Sequence, residues 1–284
     1  MGPEHRRGIP GQACCRRTFL RTGPRASPGR GDDAGPAFAL RAGMTPPHWQ
    51  PTCLCTGPGS LGDGQVHLWF APLAAQRPWM DAFASVLTPE ESHQVSRLAG
   101  GVVRERFIVG RGMLRLLLGS YLGLEPRAVE FTKPPGGKPT VAPSTRTRTV
   151  AFSLSHSGEA CLAAFRASDD IGVDMEWVRD LQDCEDIAAR WFPPAEQRSF
   201  VTARPDERAR RFLLCWTQIE ARAKADGSGL RGIFARADRS RTWRVRDVGA
   251  PGNYVATLAF RHPPARLARH CVRPASCCFE PAAR

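Results

Sequence analysis

Asp174 and Glu176 stand two residues apart in Ile171-Gly172-Val173-Asp174-Met175-Glu176. On an extended strand that spacing points both carboxylates to one face, while Ile171, Val173 and Met175 make the other face apolar. Glu220 and Lys224 stand four apart in Trp216-Thr217-Gln218-Ile219-Glu220-Ala221-Arg222-Ala223-Lys224, one turn apart on one face of a helix. If strand and helix face each other, three carboxylates and a cation surround one point. That is a site for a hard divalent metal such as magnesium, completed by a polyphosphate. The plainer reading of each pair is a solvated face: acids paired with an arginine such as Arg179, and a surface i,i+4 pair. Trp216 lies one turn before Glu220, so that helix face starts in a core, and a buried acid needs a partner.

Two further stretches suit anions. In Phe152-Ser153-Leu154-Ser155-His156-Ser157-Gly158, hydroxyls, an imidazole and backbone N–H groups can form an anion-binding turn. A Ser155–His156 catalytic pair is disfavoured, because neighbours on a strand point to opposite faces. In Gly137-Lys138-Pro139 the glycine permits close approach and the lysine offers a point charge to a phosphate. Hairpin turn and plain loop are the bland alternatives.

Positioning these residues requires an α+β frame. Val66–Phe70 reads as a strand, and Thr88-Pro89-Glu90-Glu91 opens a helix with a capping box. From 102 to 121 apolar residues recur at helical spacing with Arg104, Arg111 and Arg115 between them, which predicts a long core helix with a basic edge. A short strand follows at 129–131, and period-two patterning over 150–176 predicts three strands, with turns at 157–158 and 168–170. Residues 183–192 read as a helix stopped by Pro193-Pro194, and Asp206 as the cap of a helix reaching about Asp226. Strands near 231–234, 242–247 and 254–260 close the body. Two α+β halves are expected, 63–146 and 147–262, with their seam near 142–150. Residues 1–62 and 263–284 are rich in Gly, Pro, Arg and Cys and are expected to be loose, with Met44 an alternative start. An arginine-rich leader of this Gly and Pro density fits an organelle presequence poorly.

Composition narrows the partners. The formal net charge of +13 favours a polyanion, whether nucleotide, acidic protein, nucleic acid or anionic membrane. No run of about 18 apolar residues is present, so a membrane span is not expected. Of the 40 basic residues only Lys133, Lys138 and Lys224 are lysine, and two of these fall in the candidate motifs. Ten cysteines without paired CxxC spacing are read as reduced thiols of a cytoplasmic protein. A nucleic-acid partner is not expected, since no aromatic-interleaved basic stripe accompanies the charge.

Taken in order, Gly137–Pro139, Phe152–Gly158, Ile171–Glu176, Trp216–Lys224 and Gly227-Ser228-Gly229-Leu230 resemble one family, the 4′-phosphopantetheinyl transferases of the surfactin-synthetase type. The resemblance spans about residues 64–262. It implies a monomer of two similar α+β halves related by a pseudo-twofold axis, with coenzyme A in the cleft between them. It implies magnesium on Asp174, Glu176 and Glu220, with Glu220 taking the proton of a carrier-protein serine that attacks the β-phosphate and 3′,5′-ADP leaving. Lys224 would steady the transferring phosphate. Lys138, Ser155 and His156 would hold the nucleotide end, and one of Arg104, Arg106 and Arg111 the 3′-phosphate. Acidic acyl or peptidyl carrier domains are the implied partners, a match for a basic chain. Ile219 departs from the family, which usually has lysine there, and removes one cation expected near the pyrophosphate. A catalytically silent coenzyme A-binding relative is the alternative that this departure keeps open.

Overall fold

The computed structural model describes residues 48–54, 59–132, 137–143, 149–167, 170–227, 229–230 and 243–275. The expected strand at 231–234 and turn residues 168–169 lie outside them. The described elements, in chain order, begin with β1 (Gln50–Cys53) and β2 (Gln65–Pro72), followed by α1 (Leu73–Gln76), α2 (Met80–Ser85), α3 (Pro89–Ser96) and α4 (Val102–Leu122). Next come β3 (Phe131–Thr132), β4 (Thr140–Val141), β5 (Val150–Ser157), β6 (Ala160–Ala167) and β7 (Ile171–Trp177). The chain then runs through α5 (Cys184–Trp191), α6 (Pro194–Val201), α7 (Pro205–Asp226), β8 (Arg244–Asp247), β9 (Tyr254–Phe260) and β10 (Arg266–Arg273).

The halves are alike at the level of topology. Strand β2 leads through helices ending in the long α4 to β5 and β6, and the sheet order is β2-β6-β5, antiparallel throughout. Strand β7 leads through helices ending in the long α7 to β8 and β9, and the order is β7-β9-β8, again antiparallel. Each half is thus one strand, a long helix laid on the sheet, and a returning pair of strands. The pseudo-twofold α+β architecture follows from that repetition. Because β5 and β6 join β2, the first half runs to the end of β6 rather than to residue 146. Period-two patterning announces strands but not their partners.

Two of the buried clusters hold the first sheet between its neighbours. Val66, Leu68 and Phe70 of β2 share a buried cluster with Leu162 of β6, Ile171, Val173 and Met175 of β7 and Leu258 of β9, so the sheets meet face to face. The alternate residues Trp69, Phe152 and Phe165 pack with Val109, Met113 and Leu117 of α4 on the outer side. Each such fully buried side chain contributes roughly 1.5–3 kcal/mol relative to exposure. Thr88 caps α3 in the expected box, its hydroxyl accepting from the Glu91 N–H while the Glu91 carboxylate accepts from the Thr88 N–H. Arg115, expected on a basic edge, is instead buried, donating to both carboxylate oxygens of Glu91 and to the carbonyls of Pro126 and Val129. Asp206 lies inside the first turn of α7, whose N-cap is Arg204.

The ends are not loose throughout. β10 inserts between β1 and β2, parallel to both. It brings His270 to stack on Trp69 at 4.4 Å and within 5.5 Å of the His67 ring, while Thr52 bonds the His270 Nδ1 at 3.0 Å. His67 also shares a 2.9 Å hydrogen bond with the Tyr121 hydroxyl. Burial, then His270 and Arg266, push the His67 pKa down from 6.5 to about 4. The unfolded chain therefore takes up this proton near pH 6.5 and the folded chain only near pH 4, so stability is full above pH 6.5 and declines as pH falls through that window. We expect a loss of up to about 1.4 kcal/mol per pH unit between pH 6.5 and 5, before carboxylates titrate. Thermal melts at stepped pH should show a shallower slope for His67→Gln than for the wild type.

Candidate active site

β7 places the two acids. Its apolar residues turn into the inter-sheet core, so Gly172, Asp174 and Glu176 face the other way, toward α7. Gly172 lets the helix come close: a Cβ there would lie 2.0 Å from the Ala221 carbonyl oxygen and 2.5 Å from the Ala225 nitrogen. Asp174 is 0 % exposed, Glu176 6 % and Glu220 7 %, so none lies on a solvated face. The Lys224 ammonium donates to Asp174 Oδ1 at 2.7 Å and to the Val173 carbonyl at 3.1 Å. Glu176 has Arg179 3.6 Å from its Oε2. Strand and helix thus bring Asp174 and Lys224 into contact, with Glu220 buried one turn before Lys224 on the helix. Among the described residues, however, no group of three or more His, Cys, Asp or Glu is gathered as a preformed metal cage.

The second edge of the acids' strand is held by side chains, which local sequence patterning does not announce. Among the described residues, β7 is paired with β9 on one edge and with no strand on the other. Along its second edge the N–H groups of Val173, Met175 and Trp177 donate to the hydroxyls of Ser153, Ser155 and Ser157 at 3.0, 3.1 and 3.0 Å. Ser155 in turn donates to Asp174 Oδ1 at 2.9 Å and Ser157 to Glu176 Oε2 at 2.6 Å. Ser155, expected at the nucleotide end, is 1 % exposed, and its hydroxyl is engaged with the acid strand. His156 stands half-buried on the opposite face of β5. Serines at alternate positions were the available signal, and hairpin-turn statistics masked it.

Lys138 donates to the Ile171 carbonyl at 2.6 Å, at the start of the same edge, and lines a shallow pocket with Thr140, Val150 and Asp170. Burial lowers its pKa from 10.5 to about 8, with Asp170 opposing. Of the α4 arginines, Arg104 is exposed and donates to the Leu98 carbonyl at 3.3 Å. Arg106 grips the Gly158 carbonyl through Nε at 2.7 Å and through Nη2, which ties α4 to the turn after Ser157. Arg111 pairs with Glu91 at 3.3 Å over the Phe131 ring, and burial pushes its pKa down against the pull of Glu91. Ile219 shares a buried apolar cluster with Phe212, Leu213, Cys215 and Val255. It belongs to the core beneath α7, where its aliphatic side chain fills space.

A doubled α+β fold with buried acids and fixed cations at the joint fits a transferase of phosphate-bearing groups. The family model for the 4′-phosphopantetheinyl transferase superfamily matches residues 170–266, and that for the 4′-phosphopantetheinyl transferase N-terminal region matches residues 72–167. The chain is 36% identical over 212 residues to the 4′-phosphopantetheinyl transferase HetI of Nostoc sp., covering 70% of this chain and 89% of that protein. It is 29% identical over 162 residues to the 4′-phosphopantetheinyl transferase AcpT of Escherichia coli O157:H7, covering 57% and 71% of the two chains. A phosphopantetheinyl transferase of Thraustochytrium sp. is 28% identical over 180 residues, covering 57% and 58%. The chain belongs to the 4′-phosphopantetheinyl transferase family. It is an enzyme that transfers phosphopantetheine to carrier proteins.

Proposed function

We propose that this transfer takes place where α7 crosses β7, with coenzyme A as donor, a serine hydroxyl of an acidic acyl or peptidyl carrier domain as acceptor, and 3′,5′-ADP as the leaving product. The observation that carries the reading is the burial of Asp174 and Glu176 on one strand face against the helix of Glu220 and Lys224. The all-oxygen donor set fits magnesium, which is held by one or two carboxylates plus substrate phosphate oxygens rather than by a closed protein cage. Asp174, Glu176 and Glu220 would hold the ion, which when bound neutralises charge on the phosphates.

The remaining work falls to the chain's own groups. Lys224, fixed by Asp174 and the Val173 carbonyl, presents a preorganised cation to the transferring phosphate. Glu220 accepts the proton of the carrier serine as it attacks. Lys138 and one of Arg104, Arg106 and Arg111 take the nucleotide's phosphates, with His156 beside them. Phosphoryl transfer depends chiefly on such positioning and charge. The +13 net charge steers acidic carriers, and the motif order favours the surfactin-synthetase type, acting as a cytoplasmic monomer. Incubation of apo-carrier with coenzyme A and Mg²⁺, followed by intact mass, tests the reading. One added phosphopantetheine, lost with EDTA, supports it; no addition on any acyl or peptidyl carrier contradicts it.

Lys138 makes the reading pH-dependent. Its charge is present below about pH 8 and lost above it, so coenzyme A affinity should fall from pH 7 to 9. Titration calorimetry on Lys138→Arg, which stays charged, should show that fall removed.

A further inference from the structure

We propose that Ser155 and Ser157 are positioning residues of the transfer site, aiming the Asp174 and Glu176 carboxylates by clamping them to the unpaired edge of their own strand. This rests on the reading that these carboxylates hold the metal. A strand edge facing protein instead of another strand leaves alternate N–H and C=O groups in need of partners. In β7 side chains supply them. Ser153, Ser155 and Ser157 accept the N–H groups of Val173, Met175 and Trp177, and the ammonium groups of Lys138 and Lys224 take the carbonyls of Ile171 and Val173.

A serine that accepts an N–H still has one proton to give. On the acid face of β7, Ser153 lies level with Gly172, Ser155 with Asp174 and Ser157 with Glu176. The first serine therefore has no carboxylate to meet, while the second and third donate to Asp174 Oδ1 at 2.9 Å and Glu176 Oε2 at 2.6 Å. Hydroxyl-to-carboxylate bonds of this length are charge-assisted and fix the acceptor's direction. Each carboxylate is thus referenced to the backbone of its own strand through one oxygen atom. Magnesium requires near-ideal octahedral geometry, and partners that orient metal ligands are worth about 10- to 100-fold in affinity. Ser153 is a built-in control, with the same backbone bond and no acid.

The test uses the full chain with Mn²⁺ as probe metal in the presence of coenzyme A. Mn²⁺ affinity is read by electron paramagnetic resonance, and amide exchange is followed at Val173, Met175 and Trp177. All three serine-to-alanine variants should speed exchange at their own N–H. Only Ser155→Ala and Ser157→Ala should also raise the Mn²⁺ midpoint, by about tenfold or more, with recovery in Ser155→Thr and Ser157→Thr. Equal Mn²⁺ midpoints in wild type and all three alanine variants overturn the positioning role alone. A wild type that binds no Mn²⁺ while transferring phosphopantetheine overturns the metal reading and this proposal with it. A Ser153→Ala midpoint raised as much as the other two reduces all three serines to strand scaffolding and contradicts the proposal.

Discussion

Asp174→Asn is expected to lower the rate of phosphopantetheine transfer by about a thousandfold, the scale of losing one preorganised electrostatic group together with a metal ligand. Asp174 is the point where the strand, the helix and the serine edge meet: its Oδ1 accepts from Lys224 at 2.7 Å and from Ser155 at 2.9 Å. Asparagine keeps the shape but loses the charge that faces the Lys224 ammonium, a group with only 19% side-chain exposure. Breaking such a pair from one side costs about 3–5 kcal/mol, so stability should fall as well. The two effects separate in a double variant. Lys224→Met added to Asp174→Asn should restore much of the melting temperature without restoring transfer, measured by denaturation and by intact mass on one preparation. Recovery of transfer in the double variant would place the chemistry elsewhere.

Gly172→Ala is expected to produce a large loss of stability from the smallest change. The added Cβ would sit 2.0 Å from the Ala221 carbonyl oxygen and 2.9 Å from the Ala225 Cβ. Both neighbours belong to α7, and one is helix backbone, so the helix has to move off the strand as a body. Overpacking of this kind costs about 3 kcal/mol, or roughly 10 °C in melting temperature for a protein of this size. The displacement also carries Lys224 away from Asp174, so residual folded protein should transfer poorly at every metal concentration. A wild-type melting temperature for this variant would mean that α7 does not lie on β7 as described.

The acid strand was legible because alternation is local: Ile171, Val173 and Met175 mark one face and Asp174 and Glu176 the other, whatever the strand packs against. The Thr88 capping box was legible for the same reason, as all its atoms lie within one turn. What escaped depends on distant partners. Ser155 and Ser157 meet Met175 and Trp177 twenty residues away, and nothing in Ser-His-Ser-Gly distinguishes a hydroxyl aimed at a strand edge from one at a turn. β10 hides in Arg266–Arg273 because its inward positions are filled by residues such as His270 as well as Val272, so its pattern reads as polar. α6, Pro194–Val201, begins at a proline that also suits a loop. Ile219 looked like a lost cation by comparison with the family, and only the cluster around Phe212 and Val255 shows it as core.

The most direct measurement is a calorimetric titration of coenzyme A into wild type, Asp174→Asn and Glu220→Gln, each with saturating Mg²⁺ and with EDTA. If the acids of β7 and α7 hold the ion together with the substrate's phosphates, wild type should bind coenzyme A at least about tenfold more tightly with the metal. That gain should vanish in both variants. Equal affinity with and without Mg²⁺ in the wild type, or an undiminished gain in the variants, would contradict the assignment of the site to these three carboxylates.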